Sequence, residues 1–525
     1  MREWVAIVQD RTSPPLTRER PCFDGAGLAE ATAGILLRPG RLPIRGGAVD
    51  SRRIAPGNAF FALPGEVTDG QRFLRQAAMA GAAALVVRDA PDTAELGELG
   101  DDVAVIQVRD AGAALRSAAA AWRDRFEPLV VGVTGSLAKT STKEQIAETL
   151  AERWRVLRNE GNENNEVGLP LTLLRLAPED EACVLEMGMY VAGDIKLLAA
   201  VARPSIGVVT AVRSSHLSRA GSMEAIERGK RELVEALPAT GTAVLNADDP
   251  RVDAMASHTA ARVLRYGFRA DADVVAESVE SLGEEGMRFT LRLPDGASAA
   301  VRTPALGRHS VHNALAAAAV GFAAGMATDE IVRGLARGFR APHRSVLVRA
   351  GEWRILDDSY NAAPDSMAAA LDLLATLPGR HVAVLGEMLE LGDGSDEAHR
   401  EVGRLAADLT DRLVVVGAGA RGIAEGAAAA GMGAGAFREV GDRDSALAYL
   451  LDELRPDDRI LVKASRGIEL DLLVDALVVA GERAAGAAGA PAKETQATAG
   501  GLPSAGPRAL ERAAGATGAP AKEEA

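Results

Sequence analysis

Apolar residues in this chain come in short runs, and polar residues gather where each run ends. The clearest run, at 129–133, is mostly β-branched and passes into Thr134-Gly135-Ser136-Leu137-Ala138-Lys139-Thr140. A helical spacing follows from Ser141 to about Trp154. Runs at 182–185, 206–211 and 242–245 repeat the plan, with Glu186, Ser214 to His216, and Asn246-Ala-Asp-Asp249 at their ends. Strands alternating with helices predict a parallel sheet covered on both faces, and such sheets bind ligands beyond the carboxyl ends of their strands. Residues 263–303 are less regular and read as short antiparallel strands, with two helices then reaching Arg340. A second alternation starts near Ala341, with strands at 353–356, 381–385, 413–416 and 459–462 and a last helix at 468–479. Upstream, a helix at 71–83 and a buried strand at 84–88 mark a smaller α/β unit that ends near Pro128, while residues 1 to about 40 carry no readable pattern. Past Gly481 the composition collapses into Ala, Gly, Pro, Lys and Glu, and 482–494 and 511–523 match at twelve of thirteen positions. Such a segment cannot bury enough apolar surface to offset its ordering entropy, so a disordered tail is expected. The division that follows is 1–127, 128–340, 341–482 and a tail at 483–525.

Composition narrows the function classes. A 47% hydrophobic, 25% charged chain of 525 residues is globular and too long for one core. Its net charge of −14 argues against nonspecific nucleic-acid binding, although a phosphate loop works through backbone dipoles and needs no basic surface. Cys22 and Cys183 form no disulfide framework, and residues 1–10 lack the apolar core of a signal peptide, so a reduced cytoplasmic protein is expected. The alanine-rich run at 314–327 is too short and too weakly apolar to span a bilayer, so no stable membrane insertion is expected.

Strand, small-residue turn, Lys-Thr and helix together make the layout of a phosphate-binding loop. In such a loop the backbone N–H groups of Gly135, Ser136, Leu137 and Ala138 face the anion, Lys139 reaches the β/γ-phosphates, and Thr140, followed by Ser141, offers a hydroxyl to Mg²⁺. Ala138 stands where a glycine is usual, which strains the loop if that position needs positive φ. Glu186 at a strand end suits either a Mg²⁺ ligand or a capping or ion-paired glutamate. His216 at the next strand end is by itself as readily structural as metal-binding. Lys230, within a helix at 223–236, reads by itself as a solvated helix lysine. Asn162, Asn164 and Asn165 lie in a polar loop that suits a polar substrate or a plain turn, and Ser51-Arg52 suits a phosphate or a surface turn. Asp357-Asp358-Ser-Tyr360-Asn361 puts charge at the carboxyl edge of the second sheet, so two sheets hinged near Arg340 would make a closing cleft.

Taken together these segments resemble the Mur ligases, ATP-dependent amide-forming enzymes of peptidoglycan synthesis. The similarity runs from about Gly46 to Ala480. Besides the loop at 134–140 it rests on Gly161-Asn-Glu-Asn-Asn-Glu-Val-Gly168, Glu186-Met-Gly188, His216-Leu217, Asn246-Ala-Asp248 and Gly307-Arg-His-Ser-Val-His-Asn313. In the last unit it rests on Asp357-Asp-Ser-Tyr-Asn-Ala362 with Pro364-Asp-Ser-Met367, Val384-Leu-Gly-Glu-Met-Leu-Glu-Leu-Gly392 and Val462-Lys-Ala-Ser-Arg466. The resemblance implies an α/β protein of three domains plus the tail: a small N-terminal domain for a uridine nucleotide, a central P-loop ATPase with a mainly parallel sheet, and a C-terminal Rossmann-like domain. It is nearest to the members that add D-alanyl-D-alanine to UDP-N-acetylmuramoyl-tripeptide through an acyl phosphate. It implies ATP and two Mg²⁺ sites, with Thr140, Glu186 and His216 as ligands and a CO₂-derived carbamate on Lys230 serving the second. It places Asn313, Arg344 and Asp358 around the nucleotide, Ser51 and Arg52 near the uridine diphosphate, and Asn162, Asn164, Asn165, Tyr360 and Asn361 beside the substrates. The protein is expected to act as a monomer.

Ala138, His343, Ala363, Glu387 and Ala464 depart from the family pattern, and Asp248-Asp-Pro-Arg251 mimics a diaminopimelate-reading segment in the wrong domain. Two other readings stay open at this point. One is a family ligase with a different carboxylate or amine; the other is a nucleotide-binding relative that has lost its chemistry.

Overall fold

The apolar runs of the first unit pair into a five-stranded sheet, and the computed structural model describes residues 21–65, 68–213, 221–339 and 341–488 of the chain. Its strands are β1 (Ile35–Arg38), β2 (Gly47–Ala48), β3 (Ala59–Phe61), β4 (Ala84–Val87) and β5 (Ala104–Gln107), ordered β1-β5-β4-β3-β2 with only β1 antiparallel. β1 and the helix Gly25–Ala31 lie where the sequence showed no pattern. The helix expected at 71–83 is a 3₁₀ turn, Gly70–Phe73, followed by the short helix Leu74–Met79.

The central sheet has nine strands: β6 (Leu129–Thr134), β7 (Val156–Arg158), β8 (Ala182–Glu186), β9 (Ile206–Val209), β10 (Thr242–Asn246), β11 (Arg262–Gly267), β12 (Val274–Ser281), β13 (Met287–Arg292) and β14 (Ser298–Thr303). The order is β14-β13-β12-β11-β10-β9-β6-β8-β7. Here the antiparallel expectation for 263–303 holds for the β12–β13 and β13–β14 pairs and is corrected at its start, where β11 and β12 continue the parallel sheet from β10. The alanine-rich run belongs to the helix Arg308–Ala323, which is buried along most of its length. Its small side chains let it lie close along the helix Lys139–Leu150, so the run is core. Cys183 is sealed in β8, where burial pushes its thiol up.

The third sheet follows the same physics with six strands: β15 (Val346–Ala350), β16 (Trp353–Asp357), β17 (His381–Gly386), β18 (Arg412–Val416), β19 (Phe437–Val440) and β20 (Arg459–Lys463). The order is β15-β16-β20-β17-β18-β19, with only β15 antiparallel. β15 and β19 escape a sequence reading because both are half-exposed and lack a clean apolar run. The last helix, Asp471–Ala488, continues past Glu482 into the stretch expected as tail. The rest of the tail, the hinge position Arg340 and the 214–220 segment lie outside the described residues. No described helix is long and apolar enough to cross a membrane.

Candidate active site

The loop after β6 turns so sharply that Gly135 has φ +152°, and a Cβ there would strike the Thr210 hydroxyl. That hydroxyl donates to the Leu137 carbonyl at 2.6 Å, while Ser136 donates to the Arg213 carbonyl at 3.0 Å. The loop is thereby tied to the end of β9 before any ligand arrives. The helix begins at Lys139, two residues ahead of the sequence expectation, and ends at Leu150 instead of Trp154. Ala138 precedes it with φ +60°, so the position does need the left-handed conformation and alanine holds it at a cost of about 1 kcal/mol. His343, another departure from the family pattern, also has φ +60°.

Glu186 closes β8 under this loop and is almost wholly buried. Its oxygens accept from Thr140 Oγ1 at 2.7 Å and from Asn164 Nδ2 at 2.8 Å. Among the described residues no lysine or arginine forms an ion pair with it, although Lys139 is near enough to be stabilised by its charge. A buried carboxylate without a bonded cation is costly, and two oxygens beside a P-loop threonine are the donor set a hard divalent cation takes. Asn159 supports the arrangement, donating from Nδ2 to the Glu186 carbonyl at 3.0 Å and accepting from its N–H at 2.9 Å.

Lys230 is buried on the helix Met223–Glu235, which corrects the solvated reading. Burial, with the nearby charge of Lys139, holds its ammonium well below the ordinary lysine range, and no described carboxylate offsets this. Lys139 is lowered by burial too, less so because Glu186 opposes the shift while Arg344 adds to it. His216 lies outside the described residues. Among the described residues no group of three His, Cys, Asp or Glu side chains forms a ready-made metal cluster.

The C-terminal lobe brings a second polar edge up to the loop. Asp358, just past β16, accepts from Lys463 Nζ at 2.5 Å and from the Ser345 N–H at 2.9 Å. The Arg344 guanidinium lies 4.0 Å from the Tyr360 ring centroid, and His343 bonds Asp357 at 2.7 Å. Both edges line one cleft of about 810 Å³. It brings together Ser136 to Ser141, Asn162, Asn164, Asn165, Glu186, Asn313, Arg344, Asp358, Tyr360 and Asn361. Asn313 reaches it from the buried alanine-rich helix and accepts from Thr142 Oγ1 at 2.9 Å.

Gly135 and Lys230 do not line this cleft, and neither do Ser51 and Arg52. Ser51 is buried against Gln76, and Arg52 is exposed and paired with Asp50. Asp249, in the misleading Asp-Pro-Arg segment, caps the short helix Pro250–Asp253 and pairs with Arg213. Sequence reasoning assigned no role to Lys463, His309 or Arg466, all of which line the cleft. Their signal was present, since they sit in the Gly307–Asn313 and Val462–Arg466 segments, but a lone cation or imidazole carries no role until its neighbours are known.

Comparison with known proteins gives a consistent picture. Family models match residues 43–123 (Mur ligase family, catalytic domain), 133–321 (Mur ligase middle domain) and 343–466 (Mur ligase, glutamate ligase domain). The UDP-N-acetylmuramoyl-tripeptide–D-alanyl-D-alanine ligase of Mycobacterium tuberculosis is 42% identical over 469 residues, covering 82% of this chain and 91% of that protein. The enzyme of the same name from Bacillus subtilis is 35% identical, over 86% and 97% of the two chains. Among solved structures, MurF from Acinetobacter baumannii superposes with a TM-score of 0.79 at 29% identity, covering 87% of this chain and 100% of that one. The MurF ligase of Thermotoga maritima in complex with ADP superposes at 0.74 with 26% identity, over 84% and 98%.

Proposed function

The chain belongs to the Mur ligase family, and from that premise we propose that it joins D-alanyl-D-alanine to UDP-N-acetylmuramoyl-tripeptide at the expense of ATP, in peptidoglycan precursor synthesis. The observation that carries this reading is a single cleft in which a complete phosphate loop faces a second lobe rich in cations and hydrogen-bonding groups.

The tripeptide carboxylate attacks the γ-phosphorus of ATP, giving an acyl phosphate and ADP. The dipeptide amine then adds to the acyl carbon, and the tetrahedral adduct expels phosphate to leave the amide. Lys139 and the N–H groups of residues 137–140 hold the phosphates and balance charge in flight, while Asn313, Arg344 and Asp358 bound the nucleotide from the other side. Asn162, Asn164, Asn165, Tyr360 and Asn361 position the peptides. Ser51 and Arg52, outside the cleft, are the reading for the uridine diphosphate, and Arg53 ties that unit to Glu163 in the Asn-rich loop at 3.9 Å. Closure of the lobes keeps water from the acyl phosphate.

Thr140 and Glu186, with His216, are the residues that would hold Mg²⁺, which when bound neutralises the triphosphate. The depressed ammonium of Lys230 favours the neutral amine that reaction with CO₂ requires, so a carbamate there would supply an anion for a second Mg²⁺. Residues 1–127 are assigned to the uridine nucleotide, 128–340 to ATP and 341–482 to the dipeptide. The work is placed in the cytoplasm, with a monomer as the working unit, and cell shape and division depend on it through the wall.

Phosphate release in the presence of ATP is the test. It is expected only when both UDP-N-acetylmuramoyl-tripeptide and D-alanyl-D-alanine are supplied. Release that demands another carboxylate or amine would overturn the substrate assignment, and none with any pairing would overturn the catalytic one.

A further inference from the structure

The Lys463 charge is neutralised by Asp358 and its third proton goes to the Asn361 carbonyl at 2.8 Å. Arg344 lines the cleft together with the nucleotide loop, and its charge adds to the depression of Lys139. Arg466 is different. It opens the 3₁₀ turn Arg466–Ile468 just beyond β20, is exposed on the cleft wall, and pairs with no carboxylate among the described residues. Its guanidinium carbon lies 4.9 Å from the Tyr360 ring centroid, the same ring that carries Arg344.

We infer that Arg466 takes the free carboxylate of the incoming dipeptide and so determines which amines are accepted; this rests on the ligase reading above. A guanidinium fork is the side chain that binds a carboxylate through two parallel hydrogen bonds. Acidic residues Glu166 and Asp194 also line the cleft and disfavour a carboxylate beside them. Tyr360 sets the scale. Ring distances of 4.0 and 4.9 Å hold both guanidiniums on one tyrosine, at most about 9 Å apart, and an extended dipeptide is about 7 Å long. A carboxylate on Arg466 is thereby held in the cleft that Arg344 and the phosphate loop also line.

The test combines a variant with a substrate change. D-Alanyl-D-alaninamide lacks the carboxylate, and the intact enzyme is expected to use it at least 100-fold less well in kcat/KM. In Arg466→Met the preference for the acid over the amide collapses to within about 3-fold. The KM for D-alanyl-D-alanine rises 30-fold or more, the KM for ATP stays within 3-fold, and Arg466→Lys recovers part of the loss. A preference left intact in Arg466→Met, or a KM for ATP that rises as much as that for the dipeptide, overturns the inference. If Arg466→Met does not fold, Arg466→Gln is read by the same ratio. An intact enzyme inactive with D-alanyl-D-alanine defeats the ligase reading itself, a result distinct from either of these.

Discussion

An amine sealed inside a protein gives up its proton more easily than one in water, and Lys230 has a second cation near it besides. Its folded value is depressed, so between that value and the unfolded value of about 10.4 the unfolded chain binds the extra proton. Stability on this account rises with pH through that window and is lost as pH falls toward the folded value. Lys230→Met removes the penalty while keeping the volume. It is expected to match or exceed the parent's thermal midpoint at pH 7, with the gap closing toward pH 10, and to lose at least about 100-fold in activity. A midpoint well below the parent's would show that the amine is already paired. None of this was legible in the sequence, where Lys230 sits among Glu, Arg and Gly like any surface lysine; what buries it is the fold around its helix. Glu186 was legible as a carboxylate at a strand end near Thr140, with a metal ligand and a capping or ion-paired residue both open, and the structure adds its 2.7 Å bond from Thr140.

At the scale of elements, the sequence read well wherever a strand is buried on both faces. β6, β8, β10, β17 and β20 were found within a residue or so, since an unbroken apolar run has one meaning in a parallel sheet. The edges read badly: β1, β15 and β19 mix exposed and half-buried positions, and β11 was read with the irregular stretch after it because Arg262 and Arg265 interrupt its apolar run. Helix starts were read from spacing alone, and the structure adds the caps. Ser222 accepts from the Ala225 N–H at 3.2 Å and starts the helix that carries Lys230. Ser222→Ala should cost about 1 kcal/mol at that end. The expected readout is faster amide exchange over the first turn of this helix with the central sheet unchanged; unchanged exchange would mean the cap does not anchor it.

Across the whole molecule, few charged contacts join the central and C-terminal lobes among the described residues. Glu284, in the turn before β13, pairs with Arg459 at 2.9 Å and Arg354 at 3.7 Å on the C-terminal sheet, and Arg213 approaches Asp365 at 3.6 Å. Partly exposed pairs each contribute only about 0–1 kcal/mol, so they bias the lobe arrangement and do not fix it. Glu284→Gln should raise the scattering radius of the free protein and make it less sensitive to salt, while saturating nucleotide restores the parent's value. An unchanged radius would remove Glu284 from the interlobe contact. The thiols lead elsewhere. Cys183 is enclosed within the strand that ends in Glu186, and Cys22 is half-exposed in the N-terminal unit. Neither thiol lines the nucleotide cleft, and a covalent inhibitor of this enzyme would need a warhead aimed at an amine or a hydroxyl.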